Sequence, residues 1–175
     1  MSGDEFQIVA FSTNETTPTA NDILKIFLDQ HSHIIKVQSM HTISCEFTLQ
    51  NDPQPKKLMM ASLSDLNRTY EGISDVSFYF VFVHMDYPHV QKNLELICSY
   101  IKKYCDLSKR IFVFCIVKDE FELKTISNED VKKILEEKLG NYVFYEFNLK
   151  NKNEIGDMLS NIFLSFSQKE IKCDK

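Results

Sequence analysis

Residues 76–83 read VSFYFVFV, a run that is apolar from Phe78 to Val83 and shows no inside–outside alternation. A strand of that kind is covered on both faces, as in the interior of a parallel sheet. RIFVFCIV at 110–117 has the same character. Between the two, after HMDYP, Val90, Leu94, Ile97, Cys98, Ile101 and Cys105 recur at helical spacing and form one apolar stripe. Two buried strands joined by an amphipathic helix make a right-handed parallel crossover, and this unit organises the rest of the chain.

Toward the C-terminus the alternation continues. Ser127 followed by Asp130 is a capping-box pattern ahead of Val131, Ile134, Leu135 and Leu139, and Gly140 stands where a helix end favours positive φ. YVFYEF gives a further strand, and Ile155, Met158, Leu159, Ile162, Phe163 and Phe166 give a final helix.

Toward the N-terminus, Gln7–Phe11 is a short apolar strand, and 21–30 pairs Ile23 with Phe27 and Leu24 with Leu28 on a helix. ISCEFTLQ then alternates strictly, with Ile43, Cys45, Phe47 and Leu49 on one face, which suits a half-exposed edge strand. NDPQP at 51–55 reads as a turn and KLMMASL as the partner strand of an antiparallel hairpin. The prediction is a single three-layer α/β domain over residues 1–167, with a six-stranded, mostly parallel sheet carrying one antiparallel edge strand. Residues 168–175, QKEIKCDK, read as a flexible tail.

Composition narrows the function classes. The 175 residues are 43% apolar and 26% charged, ordinary for one globular domain, and the net charge of −5 opposes general affinity for nucleic acid or anionic lipid. No apolar run is long enough to cross a bilayer, and the start, MSGDEFQIVAF, is acidic where a secretory signal is basic. The five cysteines form no C-x-x-C pair and four lie in apolar segments, the pattern of reduced core thiols. A cytoplasmic or nuclear location is expected. Cys173 stands third from the end in CDK and fits no prenylation pattern, so no stable membrane anchor is expected.

The strand-to-helix passage IVAFSTNETTPTANDIL, residues 8–24, has the outline of a phosphate-binding loop without its chemistry. Such a loop is G-x-x-x-x-G-K-[ST]: glycines let backbone N–H groups close round phosphate, and lysine neutralises its charge. Here no glycine occurs between Gly3 and Gly72, and residues 1–24 hold no lysine or arginine. Glu15 brings a carboxylate, and Pro18 has no N–H to donate. Thr16, Thr17 and Thr19 offer hydroxyls for a metal, with no carboxylate aligned to join them.

In order and spacing, clearest from Asp75 to Phe166, the chain resembles the Ras-type small GTPases, which also place one early hairpin inside an alternating series of six strands and five helices. The resemblance implies a guanine-binding edge. The family's N-K-x-D falls on Val117-Lys118-Asp119-Glu120, keeping the lysine and an acid, and its E-T-S-A-K falls on Glu146-Phe147-Asn148-Leu149-Lys150, keeping the first and last residues. The D-x-x-G that positions magnesium falls on Ser62-Leu63-Ser64-Asp65, where neither end matches. Losing about four charge-assisted phosphate contacts at about 1.5–3 kcal/mol each removes on the order of 6–12 kcal/mol, roughly four to nine decades of affinity.

The expectation is therefore a pseudoGTPase. It has no cofactor and no catalytic or metal-ligating residues, and Lys118, Glu120, Glu146 and Lys150 remain as relics of a guanine site. It acts as a protein-binding subunit or adaptor in a larger complex, similar in kind to the centromere protein M family and to the adaptin-binding assembly chaperones of vesicle coats. No motif assigns it to either. The resemblance places the partner surface on the hairpin and on residues 64–74, with Arg68 and Glu71 as interface candidates.

Two other readings stand beside this one. The first is an atypical GTPase using Lys118, Glu146 and Lys150 for the base. The second is an unrelated α/β enzyme, for which an extra strand, another strand order or a deep polar pocket at His84 is the distinguishing feature. His84 and Asp86 follow a central strand at the edge where α/β sheets place ligands. The pair His31 and His33, with His41 beyond, reads as exposed loop polarity rather than a metal site, and Cys115 reads as packing rather than a nucleophile.

Overall fold

A computed structural model describes residues 5–15, 18–118 and 123–167. The chain runs β1 (Glu5–Ser12), α1 (Ala20–Leu28), β2 (His33–Gln38), β3 (Thr42–Leu49), β4 (Asp52–Leu63), β5 (Phe78–His84), α2 (Val90–Tyr104), β6 (Arg110–Val117), α3 (Asn128–Lys138), β7 (Val143–Asn148) and α4 (Lys152–Ser167). The strands form one sheet in the order β2-β3-β4-β1-β5-β6-β7. β1 pairs in parallel with β4 and β5, β5 with β6, and β6 with β7, while β3 runs antiparallel to both its neighbours.

Each face of the sheet has its own core. Alternate residues of β5 go to opposite sides: Phe78, Phe80 and Phe82 join the cluster under α1 and α4, and Tyr79, Val81 and Val83 join the one under α2 and α3. This two-sided burial explains why 78–83 carries no polar alternation. β6 divides in the same way, with Phe112, Phe114 and Ile116 on one side and Ile111, Val113 and Cys115 on the other.

Three expectations need correction. The sheet has seven strands among the described residues, not six, and the edge strand on the hairpin side is β2, not 43–50. HIIKVQ shows no burial period because it is bound to the sheet on one side only and, beyond the half-buried His33, stays exposed on both faces; backbone pairing to β3 and the Lys36–Glu46 ion pair at 3.7 Å hold it. The turn of the hairpin falls at Gln50–Asn51, and both prolines of NDPQP lie inside β4. They are tolerated because β1 joins β4 only from Lys57 onward, so the side of β4 next to β1 needs no N–H at 53 or 55. Between β4 and β5, residues 64–77 form turns and bends, so no fifth helix stands among the described residues.

Candidate functional site

The parallel strands β1, β4, β5 and β6 end on one side of the sheet, and their following loops meet there. That edge, beside the point where the chain's crossovers leave β1 in opposite directions, is where ligands bind in open α/β sheets. A cleft of about 430 Å³ opens there, lined among others by Ser12, Thr13, Glu15, Asp65, Tyr87 and Asn93. A smaller hollow of about 130 Å³ adjoins it, sharing Ser12, Asn14, Glu15, Leu63 and Ser64 and reaching Met40 and His41.

The charge in the cleft is acidic. Glu15 and Asp65 are its charged lining residues among those described, and none of the described lysines or arginines lines either hollow. Arg68 ion-pairs with Asp65 at 3.1 Å, but its side chain lies in solvent, where such a pair contributes little. Among the described residues, a polyphosphate in this cleft would meet two carboxylates and no buried cation.

The backbone at the end of β1 is likewise engaged elsewhere. Thr13 is buried; its N–H donates to the Phe82 carbonyl at 3.0 Å and its Oγ1 accepts from His84 N–H at 2.9 Å. Its carbonyl accepts from Asn93 Nδ2 at 2.7 Å, which ties the loop to α2. At the start of α1, Thr19 caps the helix, and both its N–H and its Oγ1 donate to Asp22 Oδ2, at 2.8 and 2.9 Å. The positive end of the helix macrodipole thus receives its negative charge from the chain itself. Thr16 and Thr17 lie outside the described residues.

Of the residues that the resemblance would assign to a guanine site, Lys118 and Glu146 are each held in an ion pair with a different partner. Lys118 Nζ meets Asp86 Oδ2 at 3.0 Å, and the Asp86 carbonyl accepts from Thr125 Oγ1 at 3.2 Å. Glu146 pairs with Lys124 at 3.1 Å and accepts a hydrogen bond from Asn128 Nδ2. Lys150 follows β7, its N–H bonded to Asn148 Oδ1 at 2.9 Å. Glu120 and Asp119 lie outside the described residues.

His84 is fully buried, and among the described residues neither ring nitrogen has a hydrogen-bond partner. Burial lowers its pKa to about 4; the nearby Asp86 carboxylate opposes that shift and Lys118 adds to it. The imidazole is neutral at physiological pH, and it does not line the cleft. Burial also raises the thiols of Cys98 and Cys115 to about 12, which keeps them protonated and un-nucleophilic.

The reading of His31 and His33 as loop decoration is corrected. His31 packs on the Phe27 ring with centroids 4.5 Å apart, places Nδ1 2.9 Å from the Phe27 carbonyl and Nε2 3.2 Å from Ser160 Oγ, and so bridges α1 and α4. His33 is a residue of β2. Among the described residues no group of three or more His, Cys, Asp or Glu side chains is arranged to hold a metal ion.

Arg68 and Glu71 lie in the turns after β4, both exposed, and Arg68 contributes its carbonyl to the Tyr100 hydroxyl at 2.8 Å. Sequence reasoning missed Thr13, Asp22, Asn93 and the Asp86 partner of Lys118. Only Thr19-x-x-Asp22 carried a readable signal, as a capping pair. No helix among the described residues is long and apolar enough to cross a membrane. Searches with the sequence find no matching protein-family model and no matching curated protein.

Proposed function

We propose that this chain is a degenerate small-GTPase-like domain, inert toward guanine nucleotides, which works inside the cell as a protein-binding subunit of a larger assembly. One observation carries the reading: among the described residues, the cleft at the carboxyl edge holds Glu15 and Asp65 and no lining cation, while Lys118 is neutralised by Asp86. Two parallel strands flanking β1, an early hairpin and helices on both faces support the likeness in architecture. A well-packed core with such a site has its remaining use in recognition by its surface.

The test is to purify the full chain, denature it by heat and analyse the supernatant by mass spectrometry, with titration of fluorescent GDP and GTP in magnesium alongside. The expected outcome is no released nucleotide and no saturable binding. Stoichiometric GDP or GTP would overturn the reading.

The seventh strand and the missing helix between β4 and β5 favour a second reading, an α/β domain of separate descent whose polar cleft takes an uncharged or cationic small molecule. Native mass spectrometry of the intact chain separates the two. A retained small molecule that is lost in Asn93→Leu supports the second reading, and a bare chain supports the first.

A further inference from the structure

On the face covered by α2 and α3, the sheet is only half roofed. The core beneath those helices draws on β1, β5, β6 and β7 and reaches β4 only at Leu63, so among the described residues no helix covers β2, β3 or most of β4 on that side. Residues paired across neighbouring strands share a face. Val37 is registered with Ser44 and Ser44 with Met59; Ile34 is registered with Glu46 and Glu46 with Lys57. Strict alternation would send Ile34 and Val37 to opposite faces, but the register shift between Ile35 and Val37 brings them to the same one. Ile34, Val37 and Met59 are 59%, 56% and 46% exposed. Three large apolar side chains are thus held on one uncovered face, two of them by an irregularity that puts them there.

The surface is also shaped. Hollows of about 160 and 240 Å³ lie on either side of Met59 and share it and Gln7; the second is bounded by Tyr70, Glu71 and Ile73. The charged residues lining them are Glu5, Lys36, Glu46, Lys57 and Glu71. Lys36 meets Glu46 at 3.7 Å and Lys57 is cross-strand from both Glu5 and Glu46, whereas Glu71 has no ion pair among the described residues.

We propose that this face, Ile34–Val37–Met59 with Glu71 at its rim, is the docking site for an amphipathic helix of a partner protein that carries Lys or Arg beside its apolar stripe. Three strands span about 10 Å between the outer two, the width of one helix. A helix laid there completes the layer that α2 and α3 begin. The edge of β2 is less suited to strand addition, because the irregularity at Lys36 and its charge interrupt the row of free backbone groups. A second copy of the chain would bring the same acidic excess, while a basic flank offsets it. The inference rests on the protein-binding reading above and deepens it by naming the surface.

The test uses the full chain and two fluorescent synthetic peptides of about five helical turns with the same Leu/Met stripe, one flanked by Lys and one by Glu. Fluorescence anisotropy is expected to show the Lys-flanked peptide binding more tightly. Met59→Glu, whose fold is checked by circular dichroism, should weaken it at least about tenfold. Glu71→Lys should reverse the preference between the peptides, and Leu96→Glu on α2 should change neither. Failure of both peptides to bind, indifference to Met59→Glu, or a Met59-dependent dimer in sedimentation that displaces the peptide would each overturn the inference. The nucleotide content of the same preparation decides the inert-domain reading independently of the peptide result.

Discussion

His84 is a neutral imidazole in a buried position, and its cost appears when pH falls. Its folded-state pKa is lowered to about 4 from the ordinary 6.5, chiefly by burial. Between those values the unfolded chain takes up a proton that the folded one refuses, so stability is full above about pH 6.5 and is lost progressively as pH falls toward 4. The loss attributable to this residue is on the order of 3 kcal/mol at the acid end. Urea titrations from pH 7.5 to 4.5 should show that slope in the natural chain and a flatter one in His84→Leu; identical slopes would mean that other groups carry the acid sensitivity. The sequence showed where His84 stands but not that it is buried. The apolar run stops at Val83, so the histidine looked like the first loop residue, whereas β5 continues through it and turns it inward on the same side as Phe82. Glu15 stands in a polar strand-to-helix passage of the sequence, and the structure places it in the lining of the cleft at the end of β1.

Elements whose ends are fixed by local chemistry were the easiest to read. α3 begins at the Ser127 cap, where Asp130 N–H donates to Ser127 Oγ at 3.1 Å, and it ends with Gly140 at φ +75°, its N–H bonded to the Leu135 carbonyl at 3.1 Å. A Cβ at Gly140 would meet nothing within 4 Å, so any cost of substitution is conformational rather than steric. Gly140→Ala should therefore destabilise the fold by about 1 kcal/mol, and Gly140→Asn, which tolerates the left-handed region better, by less. Equal denaturation midpoints for the natural chain and the Ala variant would refute this. β2 is the opposite case. Its six residues carry no alternation, no cap and no buried stripe, because what holds them is the exposed edge of β3, formed by a segment that follows them in the chain. The prolines of 51–55 misled for a related reason: they signal a turn locally, and only the place where β1 begins to pair with β4 makes them acceptable in a strand.

At the scale of the molecule, the alternation of buried runs and amphipathic helices was enough to establish α/β layering, but it left open how the hairpin half of the sheet is held to the parallel half. Phe163 on α4 answers this. Its ring lies 5.1 Å from Phe6 on β1, 5.0 Å from Phe27 on α1, 5.3 Å from Phe47 on β3 and 6.2 Å from Phe78 on β5. The last helix therefore closes over both halves at one fully buried ring. The 14 phenylalanines announced an aromatic core, yet no periodicity could say that a residue near the C-terminus would join strands from the first half of the chain. Phe163→Ala should cost about 3–5 kcal/mol by opening a cavity at that junction, and Phe163→Leu distinctly less. Hydrogen exchange distinguishes a joint from a local contact. If Phe163 couples the halves, amide protection in β3 and in β5 should fall together in the Ala variant. Loss confined to α4 and its nearest strand would mean that the two halves are held by the β1–β4 ladder alone.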